Sequence, residues 1–409
     1  MDLERVLISI TGDDAAALLP AITAELARHE VVVEDLGHAV IHDAATLCIV
    51  VALPTGAGQA GIVEDVLRRA RELDLAARAE AIDPPRWARW RERQTQTRWI
   101  VTLLARRLEA RHFARVTSVV DRAGLRIDGV RRLSAGIART EASTRASVEL
   151  SLRGTPADER AIRAEFLELA QEFAIDIAFQ RDDVYRRNRR LVAFDMDSTL
   201  IEAEVIDELA RRRGVGAEVA AITERAMRGE LDFTESFRER VALLEGLPEA
   251  ELEAVAEALP LTEGADALVA QLRHLGYRTA ILSGGFRFFA DRIAARLGID
   301  RVHANELEIA HGAVTGRVTG EVVDGARKAA LLREIAAAER ITLDQVIAVG
   351  DGANDLPMLS LAGLGIAFRA KPLVRESAEQ SISELGLDGI LYLLGFTDED
   401  LADGARGVS

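Results

Sequence analysis

The pattern of apolar and polar positions repeats itself within the first 180 residues. Apolar runs and alternations predict strands at 5–11, 31–41, 45–53 and 76–82, and a 3.6-residue period predicts helices at 13–29 and 58–72. The same βαββαβ order returns after a Pro-Pro pair, with strands at 99–104, 125–132, 146–152 and 174–178 and helices at 109–123 and 156–172. Two small domains of one topology are therefore predicted, at residues 1–84 and 97–182.

From residue 190 onward the pattern changes to short apolar strands that are followed by long helices. The runs 191–194, 279–282 and 346–349 are wholly apolar, as in a parallel sheet that is covered on both faces. Residues 204–260 are helical and charged and predict an inserted cap. We therefore expect a Rossmann-like α/β domain at 183–398, and the polar residues 399–409 predict a disordered tail.

Composition narrows the classes of partner. Of 409 residues, 49% are hydrophobic and 29% are charged, which is typical of globular domains. The net charge of −16 disfavours nucleic acid and anionic membranes as partners, so the arginine-rich stretches 86–91 and 186–190 are interpreted as solvated linkers. Without a secretory signal or an apolar run of membrane-spanning length, we expect a cytoplasmic protein in which Cys48 is buried and reduced.

Carboxylates follow two of the predicted parallel strands. Asp195 and Asp197 come directly after the strand at 191–194, and Asp351 and Asp355 follow the strand at 346–349. The carboxyl ends of parallel strands meet at one edge of a sheet, so these side chains should lie close together. Clustered carboxylates need a cation to offset their charge, which indicates a metal site.

Two further features indicate an anion site at the same edge. The strand at 279–282 is followed by Ser283, Gly284 and Gly285, a hydroxyl and a flexible turn that offer donors to an anion. Lys328 stands at the start of a predicted helix and could neutralise a phosphate or a carboxylate. Each feature alone is common in other settings, and only the whole set favours phosphate chemistry.

In this order and on these elements, the motifs closely resemble those of the haloacid dehalogenase superfamily of phosphotransferases, over about residues 190–390. The stretches 195–204, 227–240 and 350–355 are similar to the phosphoserine phosphatases in particular. The two βαββαβ repeats resemble the ACT domain, a ferredoxin-like module that commonly binds amino acids. Its glycine turn is degenerate here, at 12–17 and 105–110, so a regulatory and a purely structural role both stay open.

The resemblance implies a phosphomonoesterase that hydrolyses O-phospho-L-serine through an aspartyl-phosphate. Asp195 would be the nucleophile, and Asp197 the general acid and base. Mg²⁺ would be held by the Asp195 carboxylate, the main-chain carbonyl of Asp197 and Asp351. The phosphoryl oxygens would be held by Ser283, the Gly284 amide and Lys328, while Asn354 and Asp355 would orient the metal waters and Lys328.

The resemblance also assigns roles to four cap residues. Glu204 would meet the substrate ammonium and Arg240 the substrate carboxylate, since a guanidinium can bind a carboxylate with two hydrogen bonds. Met227 and Phe233 would close the pocket against water. Two alternatives remain open: a phosphatase of the same superfamily that acts on another small phosphate ester, or an amino-acid-sensing ACT protein with an inactive phosphatase domain. ACT-like modules commonly pair, so we also expect a homodimer.

Overall fold

The computed structural model describes residues 3–13, 15–29, 31–54, 57–135 and 145–406. It divides into two compact units, Met1–Gln96 and Thr97–Ser409. Among the described residues, none of the helices is both long enough and apolar enough to cross a membrane.

The first unit has the predicted βαββαβ order, followed by a third helix. Its elements are β1 (Leu3–Gly12), α1 (Ala15–Ala27), β2 (Val32–Ile41), β3 (Ala44–Pro54), α2 (Ala57–Glu72), β4 (Ala76–Ile82) and α3 (Pro84–Gln94). The antiparallel sheet has the order β2-β3-β1-β4, and its core joins β1 and β3 to the apolar stripes of α1 and α2. Cys48 is only partly buried, because the alternation of β3 buries Leu47 and Ile49 instead.

The stretch 86–91, predicted to be a solvated linker, belongs to α3. The Asp83 carboxylate caps this helix by accepting a hydrogen bond from the Arg86 amide at 2.6 Å, and prolines occupy its first turn. Trp87 and Trp90 stack with ring centroids 4.7 Å apart, and the Arg5 guanidinium lies 4.9 Å from the Trp87 ring. The linker prediction was wrong here because it ignored the cap and the helical spacing of the two indoles.

The second repeat has the same topology as the first and a core of its own. Its elements are β5 (Arg98–Ala105), α4 (Ala110–Arg122), β6 (Arg126–Arg132), β7 (Ala146–Arg153), α5 (Glu159–Phe173) and β8 (Asp176–Arg181). The sheet order is β6-β7-β5-β8, which matches the first repeat strand for strand. This repeat nevertheless belongs to the same compact unit as the α/β part that follows.

The α/β part contains the remaining seven strands and eleven α-helices of the described chain. The strands are β9 (Leu191–Phe194), β10 (Arg278–Phe286), β11 (Arg301–Ala310), β12 (Ala313–Thr319), β13 (Val346–Gly350), β14 (Leu364–Phe368) and β15 (Gln380–Ile382). The helices are α6 (Val205–Arg213), α7 (Gly216–Met227), α8 (Phe233–Ala242), α9 (Glu249–Ala258), α10 (Ala265–His274), α11 (Arg287–Leu297), α12 (Gly325–Ala338), α13 (Leu356–Leu361), α14 (Pro372–Ser377), α15 (Ile390–Leu393) and α16 (Asp398–Arg406).

The strands of this part form one sheet in the order β12-β11-β10-β9-β13-β14-β15, in which only β12 runs antiparallel to its neighbour. The central strands β9 and β13 are buried along their whole length and have apolar clusters on both faces, as their unbroken apolar sequences require. Helices α6 to α9 occupy the region of the predicted cap. The carboxyl ends of β9, β10 and β13 therefore lie side by side.

The second repeat is joined to this sheet through buried polar groups. The Gln380 side chain on β15 bonds both the amide and the carbonyl of Phe179 on β8, at 2.9 and 2.7 Å. The Asp176 carboxylate accepts hydrogen bonds from the amides of Ser383 and Glu384, at 2.7 and 3.0 Å. Burial raises the pKa of Asp176 to about 7, although these amides favour the charged form.

Residues 186–190 belong to this junction and are not a solvated linker. The Arg186 side chain is completely buried, and its guanidinium forms an ion pair with Glu149 of β7 at 2.5 Å. Arg189 donates a hydrogen bond to the carbonyl of Asp344 at 2.6 Å. The linker prediction failed because these partners lie 37 and 155 positions away along the chain.

The predicted disordered tail is helix α16 as far as Arg406, and residues 407–409 lie outside the described residues. Asp398 joins this helix to the second repeat, since its carboxylate accepts hydrogen bonds from the Ala135 amide at 2.6 Å and from the Tyr392 hydroxyl at 2.5 Å. The polar composition of the segment did not reveal these long-range contacts.

Candidate active site

A buried lysine joins two carboxylates at the end of β9. Asp195 follows β9 directly, and its Oδ1 accepts a hydrogen bond from the Met196 amide at 2.8 Å. The Lys328 Nζ lies 2.9 Å from this Oδ1 and 2.6 Å from Oδ1 of Asp355. Lys328 and Asp355 are fully buried, so the three side chains form a desolvated charged group.

The pKa values of this group follow from its burial and its charges. Burial raises the pKa of Asp195 well above its usual range and the Asp355 carboxylate adds to the effect, whereas Lys328 opposes it. Burial works against the charged form of Lys328, yet Asp195 and Asp355 raise its pKa above the ordinary value. The ammonium therefore stays charged at any physiological pH.

Asp197 faces the same region from the turn after β9. Its Oδ1 accepts a hydrogen bond from the Val205 amide at 2.9 Å, and Ser198 turns the chain with a φ of 56°. A Cβ atom at Gly285 would lie 2.3 Å from Oδ2 of Asp197, so a side chain at this position would displace the Asp197 carboxylate. Burial and the neighbouring Glu204 raise the pKa of Asp197, which favours the protonated form of this carboxyl group.

Three carboxylates converge closely enough to bind one cation. Oxygen atoms of Asp195, Asp351 and Asp355 all lie within 4.8 Å of one another. Both oxygens of Asp355 already accept hydrogen bonds, one from Lys328 and one from the Gly352 amide at 2.9 Å. The negative charge of this set exceeds the charge of the one lysine, and oxygen donors of this kind suit a hard divalent cation.

A cavity of about 1130 Å³ opens above this group, between the sheet edge and helices α7 and α8. The structure brings all the predicted site residues together around it. Nine of them line the cavity: Asp195, Asp197, Glu204, Met227, Phe233, Arg240, Gly284, Asp351 and Asn354. The other three are buried behind the lining and contact it: Ser283, Lys328 and Asp355.

The cap contributes two oppositely charged side chains to the cavity. Glu204 accepts a hydrogen bond from the Ser198 hydroxyl at 2.8 Å, and burial raises its pKa. Arg240 donates to the carbonyl of Ser236 at 3.3 Å and forms no ion pair with any described residue. Burial lowers the pKa of Arg240, and the negative charges of Asp207, Glu204 and Asp197 oppose this effect.

The two predicted apolar cap residues differ in position. Phe233 packs directly on the backbone of Gly284, where an added Cβ atom would lie 2.8 Å from the Phe233 ring. Met227 lies at the rim with 69% of its surface exposed, so it does not close the cavity. Phe233 therefore contacts the floor of the cavity directly, whereas Met227 is exposed at its rim.

Comparison with known proteins agrees with this geometry. The family model of the haloacid dehalogenase-like hydrolases matches residues 192–360, and an ACT domain model matches residues 4–80. A phosphoserine phosphatase of Mycobacterium tuberculosis is 40% identical over 393 residues, which cover 96% of this chain and 93% of the relative. One of Streptomyces coelicolor is 39% identical over 405 residues, which cover 98% of this chain and 94% of the relative.

The chain belongs to the phosphoserine phosphatases of the haloacid dehalogenase-like hydrolase family. Solved structures agree with this membership. A haloacid dehalogenase family hydrolase from Salmonella enterica serovar Typhi superposes with a TM-score of 0.62 at 33% identity, over 72% of this chain and 98% of its own. A probable phosphoserine phosphatase from Vibrio cholerae gives a TM-score of 0.58 at 35% identity, over 78% and 90%. The predicted fold class is confirmed.

Phosphoserine phosphatases of this family are phosphoric monoester hydrolases that generally use a divalent metal, and the acidic cluster is consistent with one.

Sequence reasoning missed several residues that shape the site. The Thr199 hydroxyl donates to Oδ1 of Asp351 at 3.1 Å, and burial raises the pKa of Asp351 to about 7. Asp207 and Lys371 also line the cavity. Periodicity could not reveal these two, because each lies at the end of a helix whose orientation depends on tertiary packing.

Proposed function

We propose that the chain hydrolyses O-phospho-L-serine to L-serine and phosphate in this cavity. The observation that carries the proposal is a set of four charged side chains around the cavity. Asp195 and Lys328 are in contact at its floor, and Glu204 and Arg240 lie on its wall. Within the part of the chain that the structure describes, Arg240 forms no ion pair. The floor suits a phosphate, and the wall offers one partner each for an ammonium and a carboxylate. A small phosphorylated amino acid carries all three groups.

Asp195 and Asp197 carry the two half-reactions. An oxygen of Asp195 attacks phosphorus as the bond to the serine oxygen breaks, and Asp197 gives its proton to that oxygen. Water then attacks the phosphorus of the aspartyl-phosphate, Asp197 takes a proton from this water, and the carboxylate of Asp195 is released with phosphate. The raised pKa of Asp197 supports the first role, since the carboxyl group enters the reaction protonated.

The phosphoryl oxygens are held by Ser283, the Gly284 amide and Lys328. The Ser283 Oγ accepts a hydrogen bond from the Gly285 amide at 2.9 Å, so its own hydroxyl hydrogen can be donated to a phosphoryl oxygen. Lys328 contacts the nucleophile and supplies positive charge where charge shifts during transfer.

Mg²⁺ fits the donor set and would be held by the Asp195 carboxylate, the main-chain carbonyl of Asp197 and Asp351. Asp355 has both oxygens engaged in hydrogen bonds, which supports the outer role that it shares with Asn354. When bound, the ion would offset the repulsion between the carboxylate nucleophile and the phosphate. Release of phosphate from O-phospho-L-serine with Mg²⁺, and its loss in EDTA, tests this proposal.

A substrate panel separates this function from the alternatives. If the enzyme prefers another small phosphate ester, it will hydrolyse that ester faster than O-phospho-L-serine. An inactive amino-acid-sensing protein would turn over none, although the convergence of Asp195, Asp197 and Lys328 favours an active enzyme.

Replacing Arg240 with alanine should raise KM for O-phospho-L-serine by about 100-fold, because a partly buried guanidinium–carboxylate contact contributes about 2–3 kcal/mol. The rate with an aryl phosphate, which has no carboxylate, should change by less than about threefold. Arg238→Ala is the matched control, since Arg238 is exposed on the same helix and does not line the cavity. Equal losses on both substrates would refute the role of Arg240.

The homodimer is proposed on the properties of β2. This strand is an edge of its sheet, and five of its apolar side chains are exposed: Val32, Val33, Leu36, Val40 and Ile41. The equivalent strand β6 of the second repeat instead carries Arg126, Arg131 and Arg132. We expect Val40→Lys with Ile41→Lys to convert a dimer to a monomer in light scattering at micromolar concentration, whereas Val130→Lys on β6 leaves the mass unchanged. A wild-type monomer would contradict the proposal.

An amino-acid effector of the ACT-type part is also proposed, on the match of residues 4–80 to the ACT family model. The degenerate turn does not itself mark the binding position. A Cβ atom at Gly12 would lie 2.3 Å from Cδ2 of Leu75, so packing against Leu75 by itself favours a glycine here.

A further inference from the structure

The use of lysine in this chain is highly selective. Of its 51 basic residues, only Lys328 and Lys371 are lysines, and all the others are arginines. Lys328 is the buried partner of Asp195, and Lys371 lines the same cavity. In a chain that uses arginine almost everywhere else, both lysines are therefore at the active site. A lysine differs from an arginine in its compact, mobile point charge, which suggests that this property matters at both positions.

Lys371 is presented to the cavity by a tightly held turn. It follows β14 and precedes α14, where Pro372 occupies the first helical turn. Arg369 adopts a φ of 44°, a left-handed conformation that is uncommon for arginine. Its amide bonds the carbonyl of Ile382 at 2.7 Å, and its guanidinium pairs with Glu202 and Glu263 at 3.2 and 3.0 Å. These contacts fix the backbone of the turn, while the lysine side chain stays exposed and forms no ion pair with any described residue.

The charge of Lys371 acts on the cap end of the cavity. Burial raises the pKa of Glu204, and the positive charges of Arg240 and Lys371 oppose this rise. Among the described residues that line the cavity, Arg240 and Lys371 are the only cations, against six carboxylates. A substrate with a phosphate and a carboxylate therefore finds few cationic partners besides Lys328, and Lys371 is one of them.

We propose that Lys371 is a substrate-binding residue that selects for a carboxylate beside the ammonium, which rests on the proposed function. Glu204, Arg240 and Lys371 line the same cavity. When the ammonium of the substrate binds Glu204, Lys371 pairs with the substrate carboxylate together with Arg240. This role needs a flexible cation that has no ion-pair partner among the described residues, which Lys371 is and the anchored Arg369 is not.

The kinetics of the Lys371→Gln variant with two phosphate esters, O-phospho-L-serine and O-phosphoethanolamine, test this role. KM for O-phospho-L-serine should rise about tenfold, the loss that corresponds to one partly exposed charged contact, while kcat stays within about twofold. KM for O-phosphoethanolamine, which has the ammonium but no carboxylate, should stay the same or fall. Arg375→Gln is the control, since Arg375 is on the same helix outside the cavity lining. An unchanged KM for O-phospho-L-serine, or equal increases for both substrates, would overturn the proposal.

A binding measurement keeps the proposal separate from the enzymatic function. Reductive methylation with ¹³C-formaldehyde labels at most the α-amino group and two lysines, and of these lysines only Lys371 is exposed. In the Asp195→Asn variant, the Lys371 methyl signal should shift on addition of O-phospho-L-serine and much less with O-phosphoethanolamine. Failure of the wild type to hydrolyse O-phospho-L-serine would refute the proposed function. A Lys371 signal that ignores O-phospho-L-serine would refute the present proposal even in an active enzyme.

Discussion

Replacing Asp195 with asparagine should lower kcat for O-phospho-L-serine by about 10⁴-fold or more, because the amide cannot form the aspartyl-phosphate. The fold should persist. The carbonyl oxygen of the substituted side chain can still accept the hydrogen bond of the Met196 amide, and the change removes a buried carboxylate whose pKa burial already raises. Phosphate release with saturating Mg²⁺ measures the loss, and circular dichroism checks the fold.

Asp121→Asn is the matched control for this variant. Asp121 is an exposed aspartate in the second repeat, so the same change of side chain should leave kcat unaltered. Turnover by Asp195→Asn within about tenfold of the wild type would show that another group attacks phosphorus and would remove the proposed mechanism.

Replacing Lys328 with methionine should abolish measurable turnover and destabilise the phosphatase part by about 3–5 kcal/mol. The change leaves the carboxylates of Asp195 and Asp355 buried beside each other without their common cation. Urea unfolding of the metal-free protein measures the stability, and phosphate release measures the activity.

A double variant identifies the physical cause of this destabilisation. Adding Asp195→Asn to Lys328→Met removes one of the two repelling carboxylates and should recover at least about 1 kcal/mol of the lost stability, with no recovery of activity. Additive losses of stability would instead mean that the Lys328 side chain contributes through packing alone.

The sequence predicted the catalytic floor well because local rules govern it. The apolar strands 191–194 and 346–349 require burial on both faces, and parallel strands bring their carboxyl ends together, so Asp195 and Asp351 had to be neighbours. The same rules could not orient the cap. Met227 was expected to close the pocket and lies at its rim, because the tilt of a helix depends on packing that a single sequence does not display.

Two of the failed predictions share one physical origin. The stretch 186–190 and the segment 398–406 are polar or charged, and their sequences give no sign of order. Their partners are distant in sequence: Arg186 pairs with Glu149, and Asp398 bonds the amide of Ala135. Composition reports how a segment interacts with water, whereas these segments are ordered by specific contacts with another part of the fold.

The contacts between β8 and β15 join the second repeat to the phosphatase part, so a stable catalytic fragment should include both. A fragment that began at residue 183 would leave the amides of Ser383 and Glu384 without the Asp176 carboxylate, and it would expose Arg186 without Glu149. A fragment that began at Thr97 would keep all of these partners. The second repeat therefore serves the phosphatase part as a structural support, held in place by buried hydrogen bonds and a buried ion pair.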